Sequence, residues 1–596
     1  MTNNHPVHHC GASRKWRRLI PLVLLVAGIV SMFPTGMAFA DAKPPAVDPP
    51  PGRVFLPMVP KAGGLDSRPT LRVNLVHFPD TLDPQKASFI NEVAHLEAMY
   101  EGLTRWDSNL NTVPGAAETW TYNTSATQLT FTLRSGLTYS DGSLLNAARF
   151  AYSIRRNIDP ATAGEYAAIT DDIQGAPEWR GCGSNPTQCE TYRQLVYESV
   201  KPLRANGSAC SATTPYADTA CTRLRLTLSH PAPYFHTVMG MWVVYPAKEE
   251  NITAGGATWW QLPRLQIGNG PFTSLILDPS ARSLFMPNPR YWRGRATYNL
   301  EFRFIMDGAE ALAAYRNGVI DIIEPTPELM PVIRADPVLS QQLRAYAGSC
   351  TFALMFHNQK APFTDRKVRE AFAYAYDRAT WVQDVLAGAG LPTLTWISPG
   401  FPGYDVQENR WGYDPPRAVQ AIADSSYGSV ANLPPITATF SDSPRNRWRW
   451  TWLIDRFREV LGVEIAFNPV TPDVYAQLVS DPATAPQMYI LGWCGDFPDP
   501  QNWLSTYWRT GGFADRIGYS NPQLDALLDQ ADATRDPATR LQLYTQAQRV
   551  LVGDVPAAFS WNNLMAFLIN PRVTGVRTTP MDMWPGSKEP LGIMIE

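Results

Sequence analysis

The sequence predicts an α/β protein whose helix-covered sheets are arranged as lobes. Three observations predict it. Apolar and polar residues alternate as strands at 71–77 and 129–133. A helical pattern at 450–461 stops at Gly462 and continues as a strand at 463–467, which makes a helix-to-strand unit. Finally, 596 residues with 45% hydrophobic and 18% charged content can bury a large core in more than one domain.

The N-terminus has the plan of a secretory signal over residues 1–40. Arg14, Lys15, Arg17 and Arg18 form the basic region, 19–33 the apolar region, and Ala38-Phe39-Ala40 the small-residue cleavage site. The apolar region is short for a membrane span. Cys10 precedes it, so no cysteine is placed to accept lipid, and a soluble exported protein is expected. Without the leader the 51 basic residues fall to 47 against 54 acidic ones, a net of -7. Residues 41–69 hold eight prolines and read as an extended linker.

The folded region begins at the 71–77 strand, and Asp80-Thr-Leu-Asp-Pro84 turns the chain. Helical spacing runs from 92 to 103 and ends near Gly102. The 129–133 strand is expected to return through Ser140-Asp-Gly-Ser143. Residues 175–225 read as a surface insertion with four of the seven cysteines. A helix at 365–378 is capped by Thr364 or Asp365. A strand follows at 488–493, then helices at 521–529 and 537–552.

Six cysteines remain after the leader, an even number without a C-x-x-C pair. In an exported chain that favours disulfides over zinc or redox chemistry. Local pairing, Cys182 with Cys189 and Cys210 with Cys221, is the simplest of three connectivities for the insertion. His5, His8, His9 and Cys10 lie in the leader, and the five later histidines show no metal spacing. No metal site, no cofactor and no catalytic motif is expected, so the chain reads as a binding protein and not an enzyme. The charge of -3 with no basic tract outside the leader excludes nucleic acid as a partner.

The residues with most chemistry are Ile490-Leu-Gly-Trp-Cys-Gly-Asp-Phe-Pro-Asp-Pro-Gln-Asn-Trp-Leu504. An apolar run ends in Gly492, Trp493, Cys494 and Asp496. Two prolines then break regular structure. An acid at a strand end beside aromatic residues suits capture of a cation in a desolvated cleft. It equally suits a simple turn or cap acid, and Asp499 is a second candidate. Nineteen Trp residues could serve such a cleft or a large core.

That stretch, with Tyr100-Glu-Gly-Leu103, Ile267-Gly-Asn-Gly-Pro-Phe272, Asn288-Pro-Arg-Tyr-Trp292 and Val368-Arg-Glu-Ala-Phe372 in the same order, resembles family 5 of the solute-binding proteins. These are the oligopeptide- and dipeptide-binding receptors of ABC importers. The resemblance runs from about residue 71 to the C-terminus. It implies a two-lobed periplasmic-binding-protein fold of the large, type II variety with an added small domain. Lobe I would comprise 71–102, 236–349 and 562–596, the added domain 103–235, and lobe II 350–561. Hinges would lie near 349 and 561.

The same resemblance implies that Asp496 holds a ligand's α-ammonium group. Backbone groups of Ser88, Phe89 and Ile90 and of Gly492, Trp493 and Cys494 would flank a bound peptide. Cys494 would pair with Cys350. Arg445 and Arg447 are the candidates for the ligand's carboxylate, since Arg binds carboxylate bidentately. Trp503, Tyr507 and Trp508 read as core before pocket. The expected partners are a peptide and membrane permease subunits, with the receptor itself a monomer. The alternatives are a same-fold receptor for a nickel chelate or an oligosaccharide, or a secreted peptidase.

Overall fold

The computed structural model describes residues 67–183 and 185–596; the signal and nearly all of the Pro-rich linker lie outside the described residues. The backbone is mixed α/β around one 11-stranded sheet. From one end the strands run Ile465–Val470, Ile436–Ser441, Met488–Cys494, Leu343–Phe356 and Ala557–Ile569. They continue with Ile322–Ile323, Thr70–Asn74, Asn299–Arg303, Arg282–Pro287 and Phe272–Asp278, and the short Gly390–Pro392 strand joins Ala557–Ile569 at the side.

Two long strands, Leu343–Phe356 and Ala557–Ile569, carry the sheet from one half to the other. They pair from Leu343↔Leu568 to Ala347↔Leu564, lose register, and resume at Thr351↔Asn562. Gly348 lies in the gap, where Asn563 crowds the space that a Cβ would occupy, at 2.2 Å. The ladder is thus interrupted beside the expected hinge at 349.

One half packs its helices on the sheet through Phe356, Phe363, Phe372, Trp450 and Phe457, all buried. In the other half, Asp321 is fully buried and accepts from Arg72 and Arg572, with Nε–O distances of 2.9 and 2.8 Å. That triad ties the first strand to the C-terminal segment. One partner lost would leave a buried charge uncompensated.

A separate four-stranded sheet, in the order Ala117–Tyr122, Gln128–Leu133, Arg223–Thr227 and Val200–Leu203, is packed by the Ala147–Ile158 helix. Here the sequence reading needs correction. The Ser140–Ser143 turn exists, and Asp141 accepts the Ser143 N–H at 3.0 Å. It leads into the helix, however, and the Gln128–Leu133 strand pairs with Ala117–Tyr122 and Arg223–Thr227 instead. Nor is 175–225 only a surface excursion, because its strand Val200–Leu203 completes this sheet. Its cysteines do form the local bridges Cys182–Cys189 and Cys210–Cys221.

Helix starts follow their caps. Ser443 accepts from the Asn446 N–H and Pro444 takes the first position, so this helix runs Pro444–Leu461, six residues earlier than periodicity predicts. Gly462 ends it at φ 72°, a conformation natural to glycine. The first long helix is Ile90–Met99 and stops at an extended Tyr100, short of Gly102. Asp365, Asn521 and Asp536 cap the helices that begin at the next residue.

Candidate functional site

The site is built on the Met488–Cys494 strand. One edge pairs with Leu343–Phe356, from Cys350↔Cys494 to Phe356↔Met488. The other edge meets its neighbour only through Ala438↔Met488. Beyond Met488 no described strand pairs with that second edge.

Alternation decides which groups point to the open edge. The Tyr475 hydroxyl donates to the Ile490 carbonyl at 2.7 Å from outside the ladder, while Gly495 N–H bonds inward to Ser349 O at 2.8 Å. Even-numbered residues therefore direct their N–H and C=O groups outward. Cys350 and Cys494 face each other with Cα atoms 4.0 Å apart, in keeping with a pair that exchanges no ladder bonds. Gly492 and Cys494 thus turn their backbone donors and acceptors to the open edge. Gly492 also has to be glycine, since a Cβ would meet the Phe352 ring at 2.6 Å.

The strand end delivers Asp496 into a network organised by Asn502. The Asn502 Oδ1 accepts the Asp496 N–H at 2.9 Å and the Trp493 indole N–H at 3.3 Å. Its Nδ2 donates to Asp496 Oδ2 at 3.1 Å. The Tyr166 hydroxyl lies close enough to the carboxylate to favour its ionised form. Among the described residues no Lys, Arg or His forms an ion pair with Asp496. Burial pushes its pKa up to about 6, and Asn502 and Tyr166 offset only part of that.

The surroundings separate the other candidates. Asp499 is taken: both oxygens accept from Arg540, at 2.6 and 2.7 Å, so the fallback role is withdrawn. Trp493 is buried against Tyr507 and Phe513, with ring centroids at 5.4 and 4.9 Å. It braces Asn502 from behind the strand. Trp503, Tyr507 and Trp508 are buried core, as the sequence reading has them.

Ser88, Phe89 and Ile90 open the Ile90–Met99 helix, and the Phe89 and Ile90 side chains are exposed. The Glu92 carboxylate already accepts the N–H groups of Ser88 and Phe89, at 2.6 and 2.9 Å. The Phe89 and Ile90 side chains leave this segment with an exposed apolar surface. A relay joins it to Asp496. Trp242 donates its indole N–H to Ala87 O at 2.8 Å and packs edge-on to Tyr166 at 5.0 Å, and Tyr166 reaches the carboxylate.

At the other candidate end, Arg447 is paired bidentately with Asp442, at 2.6 and 2.7 Å, on an exposed surface. It is therefore not placed as a free carboxylate receptor. Arg445 stays mostly exposed and meets Glu328 at 3.9 Å. Asn502 and Tyr166 escaped the sequence reading. Asn502 had a signal, its place within the Pro-Gln-Asn-Trp segment, whereas Tyr166 lies 330 residues from Asp496 with no motif of its own.

Residues 111–515 match the model of bacterial extracellular solute-binding proteins, family 5. The chain belongs to that family. The periplasmic oligopeptide-binding protein OppA of Escherichia coli is 25% identical over 530 residues, 87% of this chain and 91% of that protein. The periplasmic murein peptide-binding protein MppA of the same organism is 24% identical over 511 residues, 83% and 88% of the two chains. The unliganded open form of MppA superposes with a TM-score of 0.76 at 21% identity, covering 89% of this chain and 98% of that one. Haemophilus influenzae OppA in complex with RPPGFSPFR gives 0.61 at 20% identity, covering 89% and 100%. The two-lobed α/β fold of the family 5 proteins is thus shared. The pairing of Cys350 with Cys494 is present as the family resemblance implied. No described helix is long and apolar enough to cross a membrane.

Proposed function

We propose that this family 5 protein is an extracytoplasmic receptor that captures peptides by the amino end and hands them to an ABC importer. The carrying observation is Asp496, a half-buried carboxylate with no basic partner among the described residues, just past the end of a strand whose outer edge is open. An α-ammonium group supplies the missing charge. The outward groups of Gly492 and Cys494 pair with peptide backbone, so affinity is gained whatever the side chains. The relatives named as peptide-binding support this reading. Lobe I comprises 71–102, 236–349 and 562–596, lobe II 350–561, and 103–235 forms the added domain. The interrupted ladder near Gly348 is one hinge about which they close.

The experiment is to expose the mature protein to a random peptide pool and identify what co-purifies. Intact free-amine peptides are expected. Enrichment of acetylated and free-amine peptides alike would refute amino-end capture, and cleaved products would point to a peptidase.

Affinity should also follow pH. An ammonium ligand needs ionised Asp496, and the free protein holds that group at about 6. Affinity should be flat near pH 7 and fall roughly tenfold per pH unit below about 6. Above about 8 the free peptide amine loses its proton and affinity falls again. Isothermal titration between pH 5 and 9 checks this; a flat acid limb would contradict it.

The stability sign is opposite. A carboxyl whose folded pKa is raised favours the folded state most when protonated, and that contribution is lost as pH rises through about 6. Asp496→Asn should therefore melt above wild type at pH 7.5 without ligand. The difference should vanish below about pH 4, as differential scanning calorimetry would show.

A further inference from the structure

The Ile322–Ile323 strand leads directly into an acid, Glu324. This strand runs parallel to Thr70–Asn74, with Ile322 beside Val73, so both leave the sheet at the same end. Ligands collect at the carboxyl ends of parallel strands in α/β proteins. From that end Thr70–Asn74 continues toward Ser88, Phe89 and Ile90, and Ile322–Ile323 continues through Glu324 to Glu328. Two contacts take the second continuation to the half of the molecule that holds Asp496. Glu328 stands 3.9 Å from Arg445. Arg334, on the Met330–Ala335 helix that follows, donates to the Ala387 carbonyl at 3.1 Å.

Glu324 is exposed, and among the described residues no hydrogen bond or ion pair engages its carboxylate. The surrounding protein nevertheless displaces enough water to raise its pKa, and no neighbouring charge contributes to that shift. A carboxylate that solvent reaches and the protein still desolvates belongs to the wall of a cleft. Aromatic rings adjoin it. Ile323 pairs with Leu568, which brings Glu324 level with Phe567, and Tyr346 stacks on Phe567 with ring centroids 6.1 Å apart. Burial, then the charges of Asp582 and Glu324, raise the Tyr346 phenol, whose oxygen is buried without a hydrogen-bond partner. A desolvated acid without a partner is costly until a cation joins it. Beside aromatic rings, the fitting group has an apolar stem and a cationic tip.

We propose that Glu324, backed by the Tyr346 and Phe567 rings, is a subsite for a cationic side chain of the bound peptide, that of Lys or Arg. The proposal rests on the peptide-receptor reading and adds a side-chain preference to it. In that reading Asp496 takes the amino end, so the two acids read different cations of one ligand.

The test uses alanine pentapeptides with a free amine and one Lys, placed in turn at positions two to five. Each is compared by titration calorimetry with the same peptide carrying norleucine, which keeps the stem and removes the charge. Asp496 meets the same amine in both, so its contribution cancels. At one position wild type should bind the Lys form about tenfold or more tighter. Glu324→Gln should abolish that difference and leave the norleucine peptides unchanged. Glu324→Arg should invert the preference, so that glutamate at that position binds better than norleucine.

Equal binding of the Lys and norleucine forms to wild type at every position would overturn the subsite. So would a Lys preference that survives in Glu324→Gln, or a loss in Glu324→Gln shared equally by both forms. If no peptide of either set binds wild type, the receptor reading itself fails and this proposal falls with it. Glu324→Gln should melt at or above wild type without ligand, since it removes an unpaired, desolvated charge. A large loss would mean that Glu324 is structural and would overturn the subsite as well.

Discussion

Asp496→Ala should lose about 100-fold or more in affinity for free-amine peptides while leaving acetylated peptides unchanged. The magnitude follows from the site. Truncating one side of a buried charge pair costs about 2–5 kcal/mol, because the ligand's ammonium would then be desolvated without compensation. Asn502 cannot substitute: the group it turns to the carboxylate is its amide donor, which repels an ammonium. Asp499 cannot substitute either, since Arg540 holds both of its oxygens. Asp496→Asn keeps the shape and removes the charge, so it should lose nearly as much. Titration calorimetry with a matched pair of free and acetylated peptides measures the effect. Equal losses for both peptides would show that Asp496 shapes the pocket without reading charge.

Replacing Cys350 and Cys494 by Ser should cost more stability than removing either short bridge. The long bridge spans 144 positions of sequence, against 7 and 11 for the other two. In the chain-entropy model these loops stabilise by about 5 kcal/mol and about 2.5–3 kcal/mol respectively. The measured value should fall below the model figure, because the Leu343–Phe356 and Met488–Cys494 ladder already holds the two strands in register. Removal should also weaken peptide binding, since Cys494 helps direct the outer edge. Denaturant melts of the double variant, and of wild type with and without reductant, test this. A midpoint unmoved by reduction would mean that the ladder alone fixes the strands.

Much of the fold is legible in the sequence because its signals are local. Asn521-Pro522 and Asp536-Pro537 mark helix starts by cap and proline together. The Pro444–Leu461 start was masked by Arg445, Arg447, Trp448 and Arg449, where charged and aromatic residues blur the apolar stripe. Periodicity cannot show that Val200–Leu203 pairs with Arg223–Thr227 across a disulfide-closed loop. That pairing depends on where the loop brings the chain.

The site divides the same way. Asp496 and Cys494 stand out in one short motif, and the family resemblance names their roles. What sequence could not show is which charges are already spent. Glu92 consumes the Ser88 and Phe89 amides, Arg540 consumes Asp499, and Asp442 consumes Arg447.

The sequence by itself determined the α/β class and the strand that leads to Asp496, narrowed one helix cap to Thr364 or Asp365, and made the local disulfides the simplest of three pairings. Each of these depends on residues close together in the chain or on a motif read whole. Only the tertiary structure decided that Asn502 bonds the carboxylate with Tyr166 close by, and that among the described residues no cation pairs with it. The reason is physical. A charge's state depends on its burial and on every group that folding brings within a few ångströms, and those groups come from far along the chain.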